Sequence, residues 1–166
     1  MKKLSPMQTA WLKIFHLFFV AAWLGGQMSF LIMQFAKQDL VLPADIYAII
    51  SAARIVDYAV IVGGAIGCLI TGLIYSAFTG WGFFKFRWLA VKWITTVALV
   101  LFGTFFLGPW VDDMHNIASL ERAAAFNNPA YLHAEKMNMV WGSLQFALNI
   151  FLVIISVLKP WKRKVG

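Results

Sequence analysis

The chain has one cysteine, few acids and no extended polar domain. Cys68 stands alone in an apolar run, so no internal disulfide can form and the redox compartment is not legible from it. Asp and Glu total seven against fourteen Lys and Arg. There is no phosphate-binding glycine loop, no nucleophile–base pair and no paired intramembrane carboxylate. Those absences remove the usual signatures of nucleotide hydrolases, covalent hydrolases and proton-coupled transporters. No repeat, low-complexity segment or linker divides the sequence, so residues 1–166 read as a single transmembrane domain.

What is present is apolar. The 166 residues are 61% hydrophobic, with a mean hydropathy of +0.77. Soluble domains are about 45–50% apolar, and a core of this size cannot bury the excess. A bilayer is the natural solvent for it. Eight Trp and fifteen Phe suit a protein with aromatics at the membrane interfaces. Four stretches, about 10–34, 58–79, 87–108 and 138–158, approach the ~20 apolar residues that span a bilayer. The first is too long and too poorly flanked for a cleaved signal peptide and reads as a retained helix. The expected class is all-α: an integral membrane four-helix bundle.

Charge orients that bundle. With four spans, one side collects Lys2, Lys3, Lys13, Lys85, Arg87, Lys159, Lys162, Arg163 and Lys164, with Lys92 inside helix three toward the same side. Lys37, Arg54, Arg122, Lys136 and all seven acids fall on the other side. The positive-inside rule predicts both termini in the cytoplasm. The expected location is the bacterial cytoplasmic (inner) membrane, as a multi-pass protein. The net charge of +7 then reports topology, and nucleic acid is not an expected partner. The expected partners are the lipid bilayer and, beyond it, a second copy of the chain or a membrane redox protein.

Between the spans, residues 35–57 contain Pro43 and apolar residues at helical spacing, which predicts a short interfacial helix. Pro109 is expected to end helix three. The polar stretch after it is expected to be a loop, with a short helix in "SLERAAAF".

At 100° per residue each span shows one polar or small-residue stripe. Helix one gives His16, Trp23, Gln27, Phe30 and Gln34. Helix two gives Asp57, Gly64, Cys68, Thr71 and Tyr75. Helix three gives Trp88, Lys92, Thr95, Gly103 and Phe106. Helix four gives Asn138, Gly142, Gln145, Asn149 and Ser156. Polar groups facing lipid are costly, so the stripes are expected to face one another. Interhelical hydrogen bonding alone accounts for many of them, and close packing accounts for "GGAIGCLITG". Lys92 is either a functional intramembrane charge or a side chain snorkelling to the headgroups.

Depth constrains the histidines. His16 and Lys92 are expected near the terminal side, and His115 and His133 roughly one hydrocarbon thickness (~30 Å) away. His16 therefore cannot share a metal with either. A haem on His16 would be five-coordinate or would take a non-histidine ligand such as Tyr75. His115, His133 and Met137 on the far side are ligand types that suit copper.

The pattern W-x-K-x-x-H-x6-W-x2-G at Trp11, Lys13, His16, Trp23 and Gly26 resembles the opening helix of the HemJ-type protoporphyrinogen oxidases. Gly72, Gly80, Trp81 and Lys92 resemble that family's second helix, Gly-Trp turn and helix-three lysine. "VLKPW", with Lys159, Pro160 and Trp161, is similar to its carboxy-terminal end. The resemblance extends to uncharacterised four-helix relatives and to the CopD-like copper-resistance membrane family. It departs at "AEKMNM", where the HemJ type has Asn-Glu-x-Pro. The resemblance implies haem b on His16 and a catalytic or propionate-pairing role for Lys92; Trp23, Gln27 and Tyr75, read from the stripes, are the other expected cofactor-binding residues. It implies a redox membrane protein acting in tetrapyrrole (protoporphyrinogen) oxidation or in electron transfer. The rival expectations are a non-catalytic partner subunit and a copper-handling protein.

Overall fold

The computed structural model describes residues 3–80 and 82–161. Trp81, Lys2, Lys162, Arg163 and Lys164, which enter the charge and motif readings above, lie outside them. The described residues form four long helices: α1 Pro6–Asp39, α2 Pro43–Phe78, α3 Arg87–Asn127 and α4 Pro129–Leu158. All four are long and apolar enough to cross a membrane. Their outer faces expose Phe18, Ile94, Phe105 and Val157, side chains that suit lipid contact.

Local chemistry sets the helix starts. Ser5 and Gln8 form a reciprocal capping box ahead of Pro6. Asn128 caps α4 by accepting from the Ala130 amide at 2.8 Å, ahead of Pro129. The start of α1 meets the end of α2, where the Leu4 amide donates to the Phe78 carbonyl at 3.2 Å. Lys159, just beyond α4, lines the same cavity as Lys13 of α1, so the start of α1 and the end of α4 lie at one end of the bundle, here called the terminal end.

The helices run further than the sequence predicts at the opposite end. The segment expected as an interfacial helix is the first part of α2 and joins the second span without a break. It does so through a π-helical turn at Asp57–Val62. Pro109 does not end helix three. A second π turn, Gly103–Leu107, precedes it, and the Gly108 amide bonds to Gly103 O. That shifts the hydrogen-bond ladder by one residue just before the position where proline lacks a donor, and the helix continues to Glu121. "SLERAAAF" is split between the end of this helix and a 3-10 turn, Arg122–Asn127.

Packing is closest between α1 and α2. A Cβ on Gly64 would lie 2.6 Å from the Trp23 backbone nitrogen, and one on Gly67 would lie 2.2 Å from the Phe19 ring. Only glycine allows this approach, as expected for small residues between membrane helices. At the end opposite the termini, Lys37 is buried. It pairs with Glu135 and donates to the Tyr131 hydroxyl at 3.2 Å, joining α1 to α4.

Candidate functional site

At the terminal end the four helices line a half-open cavity of about 570 Å³. Such a volume lies within the usual range for a small-molecule or cofactor site, about 300–1,000 Å³. Lys13, His16 and Trp23 of α1 line it, with Cys68, Gly72 and Tyr75 of α2. From α3 come Trp88, Lys92, Trp93 and Thr96, and from α4 Asn149, Leu152 and Ser156. The ionisable lining beyond His16, Cys68 and Tyr75 is Lys13, Lys92 and Lys159, and no carboxylate lines the cavity among the described residues. The site is therefore apolar and aromatic, with three lysines in its lining. It suits a flat apolar ligand carrying acidic groups.

His16 is held from one side. Its Nδ1 lies 2.8 Å from Thr71 Oγ1. The Thr71 hydroxyl itself lies 2.6 Å from the Gly67 carbonyl and 3.2 Å from that of Cys68. A hydroxyl has one proton, and two oxygens 2.6 Å apart need it between them. The Thr71 hydroxyl therefore donates to Gly67 O and accepts from His16 Nδ1–H. In the neutral ring that leaves Nε2 as the unprotonated nitrogen, the state a histidine needs to ligate a metal. Gly72 lies beside the ring: a Cβ there would be 3.7 Å from His16 Cε1 and 3.8 Å from the Trp93 ring. Trp93 is fixed in turn by its indole N–H, which donates to Ser76 Oγ at 3.0 Å.

The predicted site residues fall into three groups. His16, Trp23, Tyr75 and Lys92 all line this cavity. Lys92 is half-buried and lines the cavity from α3. Gln27 does not line it. Its Oε1 accepts from Asn149 Nδ2 at 2.8 Å, and Gln27 lines a second, smaller cavity deeper in the bundle. His115, His133 and Met137 lie toward the opposite end. His115 packs against the Tyr47 ring, with centroids 5.6 Å apart, and His133 is exposed. Among the described residues no three His, Cys, Asp or Glu side chains come together as a metal site.

On α3 the stripe departs from expectation. Thr96, not Thr95, is buried and lines the cavity, and Phe106 is exposed while Leu107 is buried. The π turn at 103–107 changes the angular advance per residue and moves the inward face from Phe106 to Leu107. Thr96, Trp93 and Ser76 fall outside the stripes read from the sequence. Ser76 sits one residue from the marked Tyr75, and only the three-dimensional packing reveals its bond to Trp93.

No family model, no curated protein and no solved structure matches the chain.

Proposed function

We propose that this chain is a haem b-associated redox protein of the bacterial cytoplasmic membrane, with His16 Nε2 as an axial ligand. The observation that carries this is the His16–Thr71–Gly67 chain, which fixes the ligating tautomer beside an apolar cavity whose fixed charges are all positive. The donor set suits the group. Imidazole serves iron, Trp and Leu side chains serve the macrocycle, and Lys92, Lys13 and Lys159 serve its propionates. Tyr75, on the same cavity, is the non-histidine candidate for a second ligand. A bound haem would supply one-electron exchange. The chain's residues would orient it, exclude water and hold its acidic groups at the Lys92 end. A carboxylated tetrapyrrole as substrate presents the same chemistry, so protoporphyrinogen oxidation is the sharper form of this reading and electron transfer the broader one.

Clustering of basic residues at the terminal end supports a cytoplasmic location for both termini. The Asn149–Gln27 bond favours the rival reading of a non-catalytic partner subunit, because it joins helices and needs no ligand. That reading gives no account of a 570 Å³ cationic cavity in so small a bundle.

The test is the visible spectrum of the purified protein in mild detergent, with haem supplied and metal content measured. A Soret band lost in His16→Ala is expected. A preparation that stays colourless after reconstitution overturns the proposal.

A further inference from the structure

The second cavity, about 100 Å³, lies between the two π turns. Asp57, Ile61 and Val62 reach it from one, and Gly103, Thr104 and Leu107 from the other. π turns recur at functional sites because they leave the helix ladder locally unmatched. Asn138 answers one such mismatch, donating from Nδ2 to the Leu107 carbonyl at 3.2 Å.

Three polar groups on this cavity have no such answer. Asp57 is 9% exposed and makes no ion pair or hydrogen bond among the described residues. Gln145 Oε1 and Trp23 Nε1 are buried without a partner, on residues only 4% exposed. A carboxylate buried without a counter-charge is costly and must be neutralised by a cation or a proton. Arg54, three residues earlier on α2, is committed to Asp112 at 2.7 Å, and Tyr58 donates to the same carboxylate at 2.7 Å. From α3 the ionisable neighbour is Asp112, itself beside His115. From α1 and α4 the cavity lining holds no titratable group, only Trp23, Gln27, Asn138 and Gln145 among polar side chains. A metal cation needs a shell of oxygens, and the Trp23 N–H would oppose it. Unpartnered donor and acceptor together suit water, and the volume has room for a few molecules.

We infer that the second cavity is a hydrated proton-binding site, with Asp57 as its protonatable group, adjoining the His16 cavity. Trp23 lines both cavities, and the Gln27–Asn149 bond joins a residue of one to a residue of the other. Those three side chains form the partition. The inference does not depend on haem, since its carrier is the unpaired carboxyl.

The experiment is infrared difference spectroscopy of the full chain in lipid nanodiscs on stepping the pH. The expected result is a titrating C=O band of a protonated carboxyl that is lost in Asp57→Asn and shifts on transfer to D2O. The band should persist but move in frequency in Gln145→Leu, which keeps the carboxyl and removes its neighbour. If Asp57→Asn does not fold, the Gln145→Leu shift carries the test alone. Spectra identical in wild type and Asp57→Asn overturn the inference. So does a Gln145→Leu band that has not moved, a band inert to D2O, or a titration displaced by replacing potassium with sodium, which would make the site one for a metal cation.

Discussion

His16 Nδ1 and Thr71 Oγ1 meet at 2.8 Å across α1 and α2, and the Thr71 proton is already committed to the Gly67 carbonyl. One helix thereby sets the tautomer of a histidine on another. The arrangement works only because Gly64 and Gly67 let the two backbones approach. A glycine run that packs helices and a histidine that could bind a ligand are parts of one device.

Thr71→Val tests that device. It keeps the shape of the side chain and removes the acceptor for Nδ1–H. Partners that orient a metal-ligating histidine are worth roughly 10–100-fold in affinity. Haem titration should show a loss of that size in Thr71→Val and near-complete recovery in Thr71→Ser. Equal affinity in all three proteins would mean that Thr71 does not position the ring.

Lys92→Gln separates charge from ligation. His16 is untouched, so the Soret position should stay. An anionic group of the ligand would lose a charge-assisted hydrogen bond, worth about 1.5–3 kcal/mol, or roughly 10- to 150-fold in Kd. Lys92→Arg should recover part of it. A Lys92→Gln protein that binds haem as tightly as wild type would return Lys92 to the snorkelling role.

Much of this site is legible in the sequence, for a physical reason. Lipid penalises outward polar groups, so Trp23, Gln27, Gln34, Asn138, Gln145 and Asn149 have to align inward, and all are buried. Two of the misreadings trace to the π turn at 103–107. Pro109 signals a helix stop under i→i−4 bonding, but not after a turn that has shifted the ladder. The same turn moves the inward face from Phe106 to Leu107. Asp57 reads as a residue at a span's start because the segment before it reads as a separate interfacial helix. The extension of α2 back to Pro43 instead encloses it. Lys37 counts in the sequence only as a topological charge, and nothing local foretells its burial against Tyr131 and Glu135.

Gly64→Ala tests the close approach directly. The added Cβ would stand 2.6 Å from the Trp23 backbone nitrogen, and backbone cannot swing aside as a side chain can. Overpacking of this kind costs about 1–3 kcal/mol. Thermal unfolding in detergent should show a lowered midpoint for Gly64→Ala. Gly25→Ala on α1, with nothing within 4 Å of its added Cβ, should show no such fall. Equal behaviour of the two variants would refute the close α1–α2 contact.

The Lys37–Glu135 clamp predicts an asymmetry between single and double variants. Lys37 is 6% exposed, and its partner Glu135 is 31% exposed. In Glu135→Leu the buried ammonium keeps only the Tyr131 hydroxyl and ring face, so it bears the larger desolvation penalty. In Lys37→Met the orphaned carboxylate can turn to water. Breaking a fully buried pair costs about 3–5 kcal/mol. Glu135→Leu should approach the lower part of that range, and Lys37→Met should cost less because Glu135 keeps partial access to water. The double variant Lys37→Met/Glu135→Leu leaves no charge behind and packs apolar groups against Tyr131. It should recover most of the stability lost in Glu135→Leu. Thermal unfolding of the three variants in one detergent decides it: additive losses would mean the two residues do not act as a pair.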